Sequence, residues 1–194
     1  MSTVSAILLL LLVMDPLGNI PFFLGALAPV EAGRRGRVVV RELLIAYGVM
    51  VGFLFLGRPL LTLLAISGPA LTIAGGVILF LIALRMVFPP AAGALAETVQ
   101  GEPFIVPLAI PYVAGPSVLA TEILLMNRDS SRWGTWWVAL TAAWLVTAIL
   151  LMLGSRLGAA LGARGMIAIE RLMGMILVAV AVQMFLSGVT EFRM

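Results

Sequence analysis

The 194-residue chain contains no cysteine, no histidine and no lysine, and all twelve of its basic residues are arginine. Without cysteine there is no disulfide and no thiolate metal site. Without histidine the commonest metal ligand and the usual proton shuttle near neutral pH are both missing. Charged residues make up only 11% of the chain, against roughly 25% in a soluble domain. No predicted hydrophobic span carries a pair of carboxylates. A nucleophile–base pair or a metal site is therefore hard to assemble, and an enzyme is not expected. The arginines are spread over short connections and form no stripe, so the pI near 10.6 does not signal nucleic-acid binding.

What the chain has in quantity is apolar sequence: 62% hydrophobic residues and a mean hydropathy of +1.18. A membrane-spanning helix needs about 20 mostly apolar residues. Six segments qualify, over 3–28, 38–57, 70–88, 103–126, 134–154 and 167–188, with a linker over 89–102 between the third and fourth. The first segment has no basic residue before Arg34 and no small-residue cleavage site after Leu8–Val13, so it reads as a retained span rather than a leader. The expectation is an all-α polytopic membrane protein, a single membrane domain over 1–194 whose main partner is the lipid bilayer.

Two of these segments are interrupted in the same way. Asp15 to Pro21 reads DPLGNIP and Ile110 to Pro116 reads IPYVAGP, each placing two prolines five positions apart around glycine. Pro16 and Pro111 are 95 residues apart, as are Pro21 and Pro116. Two further correspondences follow in chain order. Gly57 matches Gly154 at an offset of 97, and the set Gly76, Arg85, Met86 matches Gly174, Gln183, Met184 at 98. These offsets predict two three-helix repeats, 1–88 and 103–194, with helices 1 and 4 broken. Because three is odd, the second repeat would enter the membrane from the opposite side, as in many secondary transporters.

Connections 1–2, 3–4 and 5–6 carry or adjoin eight arginines and the other side carries four. The positive-inside bias puts the first set in the cytoplasm and both termini outside. Trp133, Trp136 and Trp137 would then form an aromatic belt at the outer interface. Gly48 with Gly52, and Gly154, Gly158 and Gly162, have the spacing of close helix packing.

Broken helices at membrane depth survive only where protein or a polar cavity surrounds them. Asp15 before Pro16 is a favourable helix start, an N-cap followed by proline at the first helical position. Each proline also removes an N–H, freeing by count the carbonyls of Leu12, Leu17, Pro107 and Tyr112. Donors at half-helix starts beside free acceptors suit a small zwitterion. Asp15, Gly18, Asn19, Tyr112, Gly115 and Ser117 are the candidate substrate-binding residues. Gly18 and Gly115 also fit a purely conformational or packing role, and Asn19 and Ser117 a local backbone one. Asp15 and Glu122 are the candidate ion-coupling residues, with Glu122 inside the fourth segment, where an ionisable group is costly. It also lies five residues before Asn127 and could snorkel or pair with Arg128. Arg85 is expected at the cytoplasmic interface. No metal or cofactor is expected beyond a coupling proton or sodium ion.

At these residues the sequence resembles the MarC family, six-span proteins also described as neutral amino acid transporters. The resemblance is carried by DPLGNIPFF (15–23), PLAIPYVAGPS (107–117), IAGGVILFLIALRM (73–86) and RLMGMILVAVAVQM (171–184). Many family members have Asn where this chain has Asp15, and a second glycine where it has Ser117. The resemblance implies an inner-membrane protein importing small neutral amino acids, such as glycine or alanine, with cation coupling. Distant similarity to the LysE exporters leaves export or drug efflux on the same fold as an alternative, as does an accessory membrane role without transport.

Overall fold

The computed structural model describes residues 2–88 and 102–193. These form seven α-helices: α1 (Thr3–Met14), α2 (Pro16–Ala26), α3 (Ala32–Leu63), α4 (Gly68–Val87), α5 (Pro116–Arg128), α6 (Trp133–Met152) and α7 (Gly154–Phe192). A single irregular turn, Leu108–Val113, precedes α5, with Ile110 in an extended conformation inside it. No strand occurs among the described residues. Most of the expected linker, 89–101, lies outside the described residues.

Five helical stretches are long and apolar enough to cross a membrane: Thr3–Ala26, Ala32–Leu63, Gly68–Val87, Ser130–Met152 and Arg164–Phe192. They correspond to five of the six expected spans. The fourth, 103–126, is not a helix of membrane length. Its helical part, α5, has 13 residues, about 20 Å at 1.5 Å per residue, and its first half is irregular because prolines 107, 111 and 116 remove backbone donors.

The first span is two short helices joined at Asp15, which adopts a left-handed backbone (φ 41°, ψ 63°). Asp and Asn are the non-glycine residues that visit this region most readily. Helix α3 runs beyond both expected ends because its first turns carry Arg34, Arg35 and Arg37 outside the apolar stretch. Near the start of α7, Gly162 bends the chain at φ +65°, a conformation that favours glycine.

The packing is reciprocal between the two halves. The first broken span lies along α6: the Thr147 hydroxyl donates to the Met14 sulfur at 3.5 Å, and Gly154, at the start of α7, faces Ile20. The segment from 102 to 128 lies along α3, with Arg41 paired to Glu102 at 2.8 Å and Gly57 against Ile123. From Arg41 to Gly57 α3 rises about 24 Å, so the irregular segment and α5 together extend about that far alongside it. Where α3 meets α6, Tyr47 stacks on Trp144 at 4.6 Å and its hydroxyl is 2.8 Å from that of Thr141.

Helices α4 and α7 form the most extensive contact and run antiparallel. A Cβ on Gly76 would meet the Ala181 carbonyl and the Phe185 nitrogen at 3.0 Å. A Cβ on Gly174 would meet Met86 at 2.9 Å and the Ala83 carbonyl at 3.1 Å. The two sets of neighbours match at the offset of 98 that relates the glycines themselves.

Three local expectations are corrected. Nothing lies within 4 Å of a Cβ built on Gly48 or Gly52, so their spacing marks no close helix contact. The same holds for Gly162, which bends the chain instead. Trp136 does not join a belt: it is buried, donates to the Asp129 carbonyl at 2.8 Å and carries Arg132 on its ring, leaving Trp133 and Trp137 exposed.

Gly76→Ala and Gly174→Ala should each destabilise the fold by about 1–3 kcal/mol, because backbone and side chains must part to admit a methyl. Gly48→Ala should be neutral or slightly stabilising, since alanine is the better helix former. Thermal unfolding in detergent, followed by tryptophan fluorescence, checks all three.

Candidate functional site

The two breaks meet at the centre of the molecule through Asn19. Its side-chain nitrogen donates to the Met14 carbonyl at 2.9 Å and to the Tyr112 carbonyl, 93 residues away, at 2.8 Å. Both partners are acceptors, so the amide orientation is fixed by chemistry. Met14 ends α1 and Tyr112 lies in the turn before α5, so one side chain ties both interruptions together. Phe22 reinforces the junction by packing on the Tyr112 ring at 5.3 Å.

The freed carbonyls are mostly engaged. Leu12 accepts from the Asp15 N–H, Pro107 from the Tyr112 N–H, and Tyr112 from Asn19. Three of the four freed oxygens therefore each already accept a hydrogen bond.

Asp15 is buried and caps α2, its Oδ1 accepting from the Gly18 N–H at 3.0 Å. The start of α2 thus already holds a carboxylate, which disfavours an anionic ligand there and favours a cationic one. The start of α5 differs. Gly115 provides no side-chain cap, and no hydrogen bond engages the Ser117 hydroxyl among the described residues. The uncapped N-terminus and that hydroxyl together favour an anionic group.

A cavity of about 370 Å³ lies between the breaks, within the roughly 300–1,000 Å³ range of small-molecule sites. Asp15, Asn19, Tyr112, Gly115 and Ser117 all line it. Gly18 does not: a Cβ there would strike the Asp15 carboxylate at 2.1 Å and Met86 at 2.4 Å. Its role is to let α2 close onto Asp15 and α4. Gly115 also sits tightly, with the Pro111 carbonyl 2.8 Å from where a Cβ would stand.

Glu122 is not brought to this cavity. It is fully buried on α5, and neither carboxyl oxygen has a hydrogen-bond partner among the described residues. Pairing with Arg128 does not occur; Arg128 lines a separate cleft of about 180 Å³ with Gln183, Thr72 and Thr121. Two further charged residues line the cavity without having been expected there. Arg85, expected at the interface, lines the cavity between the breaks, as does Glu170 of α7. Glu170 was legible in principle as an ionisable residue three positions inside the sixth expected span. A wider groove of about 690 Å³ near Phe55, Arg58 and Ser130 is an open surface feature remote from the breaks.

Bundled apolar helices around a central interruption define an all-helical, multi-pass integral membrane protein. Comparison with known proteins agrees. The family model for "MarC family integral membrane protein" matches residues 1–192. The inner membrane protein YhgN of Escherichia coli is 49% identical over 187 residues, covering 96% of this chain and 95% of that protein. A membrane protein of Buchnera aphidicola is 46% identical over 186 residues, with 96% and 95% covered. The inner membrane protein MarC of Escherichia coli is 31% identical over 204 residues, with 95% and 92% covered. The chain belongs to the MarC family. No solved structure matches it.

Asn19→Ala should lower stability by about 1–3 kcal/mol by stripping two part-buried carbonyls of a donor. Asn19→Asp should cost at least as much, because it sets an acceptor against acceptors. Chemical or thermal unfolding in detergent measures both.

Proposed function

We propose that this protein is a secondary transporter of small neutral amino acids, holding its substrate in the cavity between the two breaks. The observation that carries this reading is the unlike chemistry of the two half-helix starts on one cavity wall. Asp15 offers a negative group for a substrate ammonium. The uncapped start of α5 and the Ser117 hydroxyl offer donors for its carboxylate. Tyr112 and Asn19 shape the wall between, with one acceptor oxygen of Asn19 left for the ligand.

Alternating access follows from an inverted repeat of six crossings, with the irregular segment and α5 as the fourth. Three reciprocal features support it: each broken segment lies along the second long helix of the other half, Tyr47 stacks on Trp144 at the repeat offset of 97, and α4 meets α7 through matched glycines. The arginine distribution places both termini outside the inner membrane.

A proton is the coupling ion this geometry favours, because three of the four carbonyls that might have coordinated sodium already accept hydrogen bonds. Asp15, on the cavity wall, links proton to substrate. Glu122, unpaired within the bundle, is the second proton carrier. An unpartnered carboxylate has no reason of stability to be there, since its burial is costly without a partner.

The test is uptake of labelled alanine into proteoliposomes under an imposed pH gradient, and separately under a sodium gradient. Saturable accumulation with the pH gradient is expected; no uptake and no counterflow of alanine or glycine would refute the substrate class. Asp15→Asn should leave the melting temperature unchanged, because Asn also caps and tolerates the left-handed backbone, yet abolish proton-driven accumulation. Full accumulation in that variant would confine Asp15 to capping. Glu122→Met should raise the melting temperature by removing a buried unpaired carboxyl, while losing coupling to the pH gradient.

A further inference from the structure

We propose that Arg85 and Glu170 form a charge filter at the open end of the cavity, admitting zwitterions and turning away singly charged molecules of the same size. The inference rests on the transport reading and adds to it a recognition step before the inner site.

Arg85 stands in the last turn of α4, and Glu170 lies on α7. The helices are antiparallel, and Gly174 of α7 packs against Met86 and Val87 of α4, so both charges occur at the same end of the bundle. Both line the cavity that holds Asp15 and Ser117. Arg85 is exposed and Glu170 partly exposed, which places them at the mouth rather than the floor. No hydrogen bond or ion pair joins them; Glu170 feels the charge of its chain neighbour Arg171 but makes no ion pair with it. Elsewhere on this molecule oppositely charged neighbours do pair: Arg34 and Arg41 both bind Glu102 at 2.8 Å.

Two opposite charges that line one cavity without pairing to each other complement a molecule that carries both. A guanidinium takes a carboxylate through parallel N–H bonds, and the Glu170 carboxylate takes an ammonium. A lone amine would be drawn by Glu170 but repelled by Arg85, and a lone carboxylate the reverse, so each is rejected by one member.

The experiment measures ligand binding to purified, detergent-solubilised protein with three probes of similar size: alanine, the amino alcohol alaninol and propionate. Wild type should bind alanine and neither of the others. Arg85→Gln should weaken alanine roughly ten- to a hundredfold, the worth of a charge-assisted hydrogen bond, and allow alaninol to bind. Glu170→Gln should weaken alanine and allow propionate. Arg85→Lys, which keeps the charge, should still reject alaninol and serves as a control for folding. Variants that keep the wild-type pattern, or lose all binding without change of preference, would overturn the filter and leave the transport reading standing. Wild type that binds alaninol or propionate as well as alanine would also overturn the filter. No binding of any probe, with no alanine uptake in proteoliposomes, would remove both.

Discussion

A helix broken inside a membrane leaves carbonyls without their helical donors, and two carbonyls at the breaks of this protein, on Met14 and Tyr112, are met by the single amide of Asn19. The arrangement depends on that bridge. It joins two interruptions that are 93 residues apart, and so determines which walls face the cavity. Without a shared donor each break would need its own source of hydrogen bonds, and the halves would have no polar reason to meet there.

Asp15 is constrained twice by the same logic. Its backbone must turn left-handed to end α1, and its side chain must cap α2. Asn satisfies both demands as well as Asp does. What Asp alone adds is charge beside the cavity. Gly18 completes the corner, since any side chain would displace either that carboxylate or Met86. Glu122 stands apart from this economy: it makes no hydrogen bond among the described residues and does not line the cavity between the breaks, so its burial lacks a structural reason.

The broken first span, the capping role of Asp15, the bounds of the third and fifth expected spans within a few residues and the membership of the MarC family were all legible in the sequence. Proline, glycine and a capping residue act through local backbone chemistry, and a repeat offset survives as spacing. The fourth segment was less legible. Its hydrophobicity suggested a helix, but three prolines in ten residues leave only thirteen residues helical. That Arg85, near the end of α4, also lines the cavity was not legible, because distance from a helix end does not say which way a long side chain turns. Glu170 was missed because its significance comes from Arg85 and the cavity, and neither adjoins it in sequence.

By itself the sequence determined that the chain lives in a membrane, where it breaks, and that the breaks recur, because hydropathy, proline and glycine act on residues close along the chain. Only the tertiary structure decided that Asn19 joins the breaks, that each half leans on the other's second long helix, and that three freed carbonyls are taken. It also decided that Arg85 and Glu170 share the cavity wall without pairing to each other. The Asn19 bridge and the shared wall bring together groups from distant parts of the chain, a coincidence in space that no local pattern encodes.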